Sequence, residues 1–217
     1  MRTFHKEVDY RKYLEIVDKY HEKFSFRLYH FCLMPNHVHL LLKCEDDLSE
    51  LMHGINLCYA QYYKKQYKHI GHFWQDRFRS YIVQEEKYLL AVARYIERNP
   101  LIAKLINSLS EYNYSSYNFY AYGKDCGVQM TYDPLYAGLA MEENKRRLIY
   151  IKFVDTDSNQ LSAKINEIPL NLEIVKAQFI GSKVFAKELV KTNFRGRIKL
   201  KRGRPRKNQE ELIPNLL

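Results

Sequence analysis

An α+β fold is predicted for this chain of 217 residues, and three observations carry it. Two runs of strand composition, FSFRLYHFCLM (24–34) and VHLLLKC (38–44), flank the turn Pro35-Asn36 and read as a hairpin. Helical patterns bracket that hairpin, at 8–24 and again over 45–69. A second strand-like stretch, RFRSYIVQ (77–84), leads straight into a helical one, EEKYLLAVARYIERNP (85–100). The order helix, strand, strand, helix, strand, helix is that of a ferredoxin-like antiparallel sheet with helices on one face, its opening strand lacking.

Each element has a local reason. Between Val8 and Phe24, apolar residues at 14, 17, 20 and 24 give one helix face. EDDLSELMHGINLCYAQYYKKQYKH opens with acids, which suit the positive end of a helix dipole. The helix from Glu85 also starts on acids and is expected to stop near Asn99, because Pro100 cannot continue it. From residue 101 onward the pattern is loop-rich and mainly helical, with helices expected at 141–154 and 182–192. The turn residues of YGKDCG place a boundary near 125. The organisation expected is a main domain over 1–125, a helical accessory region over 126–190 and a basic tail over 191–217.

Composition narrows the function. A hydrophobic share of 46% excludes wholesale disorder. Nineteen tyrosines beside one tryptophan serve a core or a base-stacking surface. The four cysteines form no CxxC pair, so neither a zinc ribbon nor a disulfide framework is indicated. The N-terminus is charged and amphipathic rather than a signal peptide, and no apolar run reaches membrane-spanning length. A soluble, cytoplasmic protein with no membrane partner is expected. Of the net charge of +10, nine positive charges lie between Lys191 and Lys207, with no acid among them. Such a segment is an arm for a polyphosphate, or else a solubilising or lipid-seeking tail. RGRPRK, with Arg202, Arg204, Arg206 and Lys207, favours nucleic acid, because Pro205 stiffens an extended segment of the kind that lies in a minor groove.

The chemistry-bearing residues sit in the hairpin and the helix after it. In MPNHVHLLLK, His37 and His39 are two apart on a strand and so face the same way. They are either one core and one rim histidine or two ligands of one metal. On the helix, Tyr95 and Asn99 are i and i+4 and share a face. Two imidazoles with an amide oxygen suit Mg²⁺, Mn²⁺, Co²⁺ or Zn²⁺. By spacing alone, a core tyrosine and a helix-ending asparagine are the simpler reading.

MPNHVHLLL, FWQDRFRSYIV, YIERNPL and YNYSSYNFY, in this order and at these intervals, resemble the REP-associated tyrosine transposases, single-tyrosine HUH enzymes related to those of simple insertion sequences. The resemblance runs from about Phe4 to about Val154. It implies that the 1–125 unit is a catalytic domain in which Tyr95 is the nucleophile and His37, His39 and Asn99 hold a divalent metal, Mg²⁺ or Mn²⁺. The implied activity is cleavage and rejoining of single-stranded DNA at hairpin repeats through a 5′-phosphotyrosine. The implied setting is the nucleoid, and the enzyme would be a monomer or a homodimer. Glu97 and Arg98 fill variable positions and receive no role; Ser115 and Ser116 belong to a segment supporting the catalytic helix. Arg77 and Arg79 are expected on one strand face toward phosphates, Phe78 in the core, and Trp74 in the core or on a base. The family's opening strand and its Arg-Gly-Asn-like turn would precede Met1. Without them, neighbouring strands are expected to carry unpaired backbone groups unless another segment fills the gap. Two other function classes compete with this reading: a non-catalytic nucleic-acid-binding protein on the same scaffold, and a zinc hydrolase, for which the HExxH helix is lacking.

Overall fold

The computed structural model describes residues 2–155 together with 179–180. Helix α1 (Glu7–Lys19) is followed by strands β1 (Phe26–Met34) and β2 (His37–Cys44), helix α2 (Leu48–Tyr67), the short β3 (Ile82–Val83) and helix α3 (Glu85–Ile102). Three further helices, α4 (Tyr117–Tyr122), α5 (Pro134–Ala137) and α6 (Glu143–Asp155), precede the two-residue β4 (Phe179–Ile180). The class is mixed α+β, as the sequence indicates.

The hairpin is the centre. β1 and β2 pair antiparallel, from Phe26 opposite Cys44 to Met34 opposite His37, with an extra residue, Tyr29, between the Leu28 and His30 pairings. On one face Phe26, Leu28, Phe31 and Leu33 pack with Tyr13 and Val17 of α1 and with Leu51, Ile55 and Tyr59 of α2. On the other, Cys32, Met34 and Leu41 pack with Leu89, Val92 and Ile96 of α3. The expected helical cover therefore consists of α1 and α2, and α3 lies across the opposite face. Asp9 locks α1 to α2: its carboxylate accepts from the His5 and Lys6 amides and from the hydroxyls of Tyr62 and Tyr67.

The expected strand over 77–84 is reduced to Ile82–Val83, which pairs in parallel with Phe179–Ile180 and not with the hairpin. A strand needs a buried face, and Arg77, Arg79, Ser80 and Tyr81 are all exposed. The free edge of β1 is already covered by residues 112–131. Leu33 and Ser116 exchange main-chain bonds with Tyr114 and Phe31, and the Thr131 amide donates to the Leu28 carbonyl. Tyr112 and Tyr120 hydroxyls donate to the Leu33 and Tyr29 carbonyls, each at 2.7 Å. YNYSSYNFY forms residues 112–120 of this cover. Among the described residues no strand pairs with the outer edge of β2.

Two expected helix ends move. The first helix tightens into a 3-10 turn at Tyr20–Glu22 instead of running to Phe24. Helix α3 continues through Pro100 to Ile102. Proline removes the donor that would meet the Ile96 carbonyl, and the Asn99 side-chain amide donates to that carbonyl instead, at 3.2 Å. A core of Leu90, Leu109, Tyr117, Tyr120, Tyr136, Tyr150 and Phe153 runs across the boundary expected near residue 125, so α5 and α6 share it with α3 and α4. The expected helix at 182–192 and the basic tail, including Arg202, Arg204, Arg206 and Lys207, lie outside the described residues. No described helix is long and apolar enough to cross a membrane.

Candidate active site

Cross-strand pairing puts His37 opposite Met34 and His39 opposite Cys32, on the sheet face that α3 covers. The two imidazoles converge at the turn end of the hairpin, their Nε2 atoms 3.0 Å apart. His37 Nδ1 lies 2.7 Å from the Asn36 side-chain oxygen. With an amide oxygen accepting, Nδ1 is the donor and the Nε2 lone pair points at His39. Burial holds the His37 pKa below the ordinary histidine value. Burial, with a smaller contribution from His37, takes His39 down to about 4. Both rings are thus neutral at physiological pH, the state in which imidazole is a ligand.

From α3, Tyr95 reaches this pair. Its ring meets that of His39 edge to face with centroids 5.9 Å apart, and the residue is 47% exposed. Tyr88, seven residues earlier, is instead half-buried against the α3 core. One turn after Tyr95, Asn99 donates its amide to the Tyr95 carbonyl at 2.7 Å and to the Ile96 carbonyl at 3.2 Å. That geometry turns its Oδ1 away from the helix backbone.

Does this set suit a divalent ion? Two nitrogens each about 2.1 Å from one ion and at right angles stand about 3.0 Å apart, the spacing of neighbouring ligands in an octahedral shell. Among the described residues no three His, Cys, Asp or Glu are grouped to hold a metal. A further protein donor beside His37 and His39 would therefore be a neutral oxygen, and Asn99 Oδ1 is of that type. The residues fit the group.

Of the expected nucleic-acid contacts, Arg77 and Arg79 lie exposed in the loop between α2 and β3, Arg79 3.9 Å from Asp76. Trp74 is half-buried, packs on Tyr59 and Phe73, and donates its indole N–H to the Asn56 carbonyl at 2.9 Å. Phe78 is only half-buried. Cys32 is fully buried, and Cys44 is partly covered.

Three fully buried polar residues have no assignment from sequence: His30, Glu97 and Asp133. His30 lies between two carboxylates, Nδ1 at 3.0 Å from Glu97 and Nε2 at 3.2 Å from Asp133. Glu97 also accepts from Ser116 Oγ and Tyr150 Oη, each at 2.6 Å. Burial opposes the His30 charge, but the bonds to Asp133 and Glu97 outweigh it and raise the pKa to about 9. A signal for Glu97 existed. It follows Leu90 and Ala93, both buried, at positions seven and four residues on, so a charge lies on the apolar stripe of α3.

Residues 1–99 match the family described as "Transposase IS200 like". The matched stretch contains His37, His39 and Tyr95 and ends on Asn99. The match covers 99 of the 217 residues and is a likeness to that transposase family. No curated protein and no solved structure gives a significant match.

Proposed function

We propose that this chain is a REP-associated tyrosine transposase that cleaves and rejoins single-stranded DNA at hairpin repeats through a covalent link to Tyr95. The observation that carries the reading is the exposed Tyr95 ring against His39, whose Nε2 meets that of His37. Tyr95 Oη attacks the phosphorus in line. The bond to the 3′ oxygen breaks, that oxygen takes up a proton and leaves as a 3′-hydroxyl, and the 5′-phosphate stays on the tyrosine. The phenolic proton is released in the same exchange. Attack by another 3′-hydroxyl reverses the link and joins strands, so no external energy source is needed. A Mg²⁺ or Mn²⁺ ion held by His37, His39 and Asn99 would offset charge developing on the phosphate. Arg77 and Arg79, and in the tail Arg202, Arg204, Arg206 and Lys207, contact phosphates and supply affinity rather than chemistry.

The test is a labelled single-stranded hairpin oligonucleotide, Mn²⁺ and denaturing electrophoresis. Wild type and Tyr88→Phe give a detergent-resistant adduct, and Tyr95→Phe gives none while binding DNA with unchanged affinity. Mass spectrometry then locates the phosphotyrosine. An adduct on any other tyrosine overturns the assignment, and DNA binding without any adduct in wild type supports a non-catalytic binding protein instead.

A further inference from the structure

Tyr95 and the histidine pair sit on different elements, so something must fix α3 against the hairpin. His30 is on β1, in the same face-sharing row as Cys32 and Met34, which stand opposite His39 and His37. Glu97 is two residues beyond Tyr95, about 200° round the helix, so it points inward where Tyr95 points out. The bond between His30 Nδ1 and Glu97 Oε1, 3.0 Å long, therefore links the strand that aligns the histidines to the helix that carries the tyrosine. Ser116 bonds both Glu97 and the Phe31 main chain. Asp133, which caps α5 through the Leu135 amide, holds the far nitrogen of His30. Tyr150 brings in α6, whose last carbonyls accept from Arg94 and Arg98 of α3. One buried carboxylate thus joins β1, α3 and α6, with the start of α4 through Ser116.

We infer that Glu97 and His30 are positioning residues: their buried bond sets the rotation and height of α3 and so places the Tyr95 phenol over His37 and His39. This rests on Tyr95 being the nucleophile, yet the placement can be read without catalysis. Two carboxylates and an imidazolium are a costly way to fill a core, since burial penalises every charge. Leucine and phenylalanine would pack α3 onto β1 but leave its register free to slide; directional, charge-assisted bonds do not.

The experiment places 3-fluorotyrosine at position 95 and records its ¹⁹F resonance in otherwise wild-type protein, in Glu97→Gln and in Tyr150→Phe. The milder Tyr150→Phe removes one bond to Glu97 and decides the matter if Glu97→Gln does not fold. A displaced or split resonance in the folded variants is expected, together with a roughly 10- to 100-fold slower single-turnover adduct formation at saturating DNA and half-saturation changed less than about twofold. A single unmoved line in folded variants overturns the inference, whatever the adduct assay gives. Tyr95→Phe with an intact adduct overturns the functional reading, while the resonance still reports the placement.

Discussion

On the proposed reading, Asn99 would serve two purposes with one side chain. Its amide nitrogen answers the Ile96 carbonyl, whose donor Pro100 lacks, and its oxygen is left for the site. The two functions separate by substitution. Asn99→Ala loses both: Mn²⁺ affinity falls, and stability drops by about 1 kcal/mol, the usual worth of a hydrogen bond. Asn99→Asp loses the donor but keeps an oxygen ligand, so Mn²⁺ binding followed by titration calorimetry survives while the thermal midpoint still falls. Equal Mn²⁺ affinity in wild type and Asn99→Ala would remove Asn99 from the ligand set. His30 makes a prediction of a different kind. Its folded pKa, about 9, lies above the ordinary 6.5, so the folded state holds the proton more tightly. The stabilisation is complete below pH 6.5 and is lost as pH rises through 9; a shift of this size is worth about 3 kcal/mol. The urea midpoint should therefore decline between pH 6.5 and 9.5. A midpoint flat across that range would mean that His30 is neutral in the fold. At this scale the sequence is uneven as a guide. That His37 and His39 share a strand face and that Tyr95 and Asn99 share a helix face is legible from local periods, whereas spacing alone favours a core tyrosine and a helix-ending asparagine, and the roles come only from the family resemblance. The His30 bonds are not legible, since Glu97 and Asp133 lie 67 and 103 residues away and no local period connects them.

Elements were legible where their own side chains make the buried face, and illegible where a partner decides. The hairpin, α2 and α3 each carry a continuous apolar stripe, and each forms within a few residues of its expected span. RFRSYIVQ has the composition of a strand but does not join the hairpin: the tyrosine-rich segment over 112–131 covers the edge of β1 with side-chain hydroxyls as well as main chain, and Arg77, Arg79, Ser80 and Tyr81 stay exposed and give it no face to bury. The division of helices between the sheet faces also has a testable consequence. Asp47 caps α2, accepting from the Ser49 and Glu50 amides at 2.7 and 3.1 Å, and α2 packs on the face away from His37 and His39. Asp47→Ala should cost about 1 kcal/mol of stability and leave the rate of adduct formation unchanged at temperatures well below unfolding. A rate loss as large as that of a site substitution would mean that the two faces are coupled through the sheet.

At the scale of the whole molecule, the core and the charge divide the chain differently. The second core is built from residues on both sides of 125, and Glu97 and His30 draw partners from Tyr150 and Asp133. A chain ending at residue 125 strands the two buried groups without those partners and exposes Leu90, Tyr117 and Tyr120, so it should be insoluble or lack a cooperative thermal transition. A well-folded 1–125 fragment would show that the first core suffices alone. The charge lies elsewhere: nine of the net ten positive charges fall between Lys191 and Lys207, beyond every residue placed in the site. Deleting Lys191 to Leu217 should then weaken binding to all DNA sequences alike. If about half of those basic residues meet phosphates, the log–log dependence of affinity on salt, measured on single strands, becomes shallower by roughly 3 units. Adduct formation at saturating DNA should persist, because Tyr95, His37, His39 and Asn99 are all retained. An unchanged salt slope would assign the tail to something other than nucleic acid, and a lost adduct at saturation would give it a part in the chemistry.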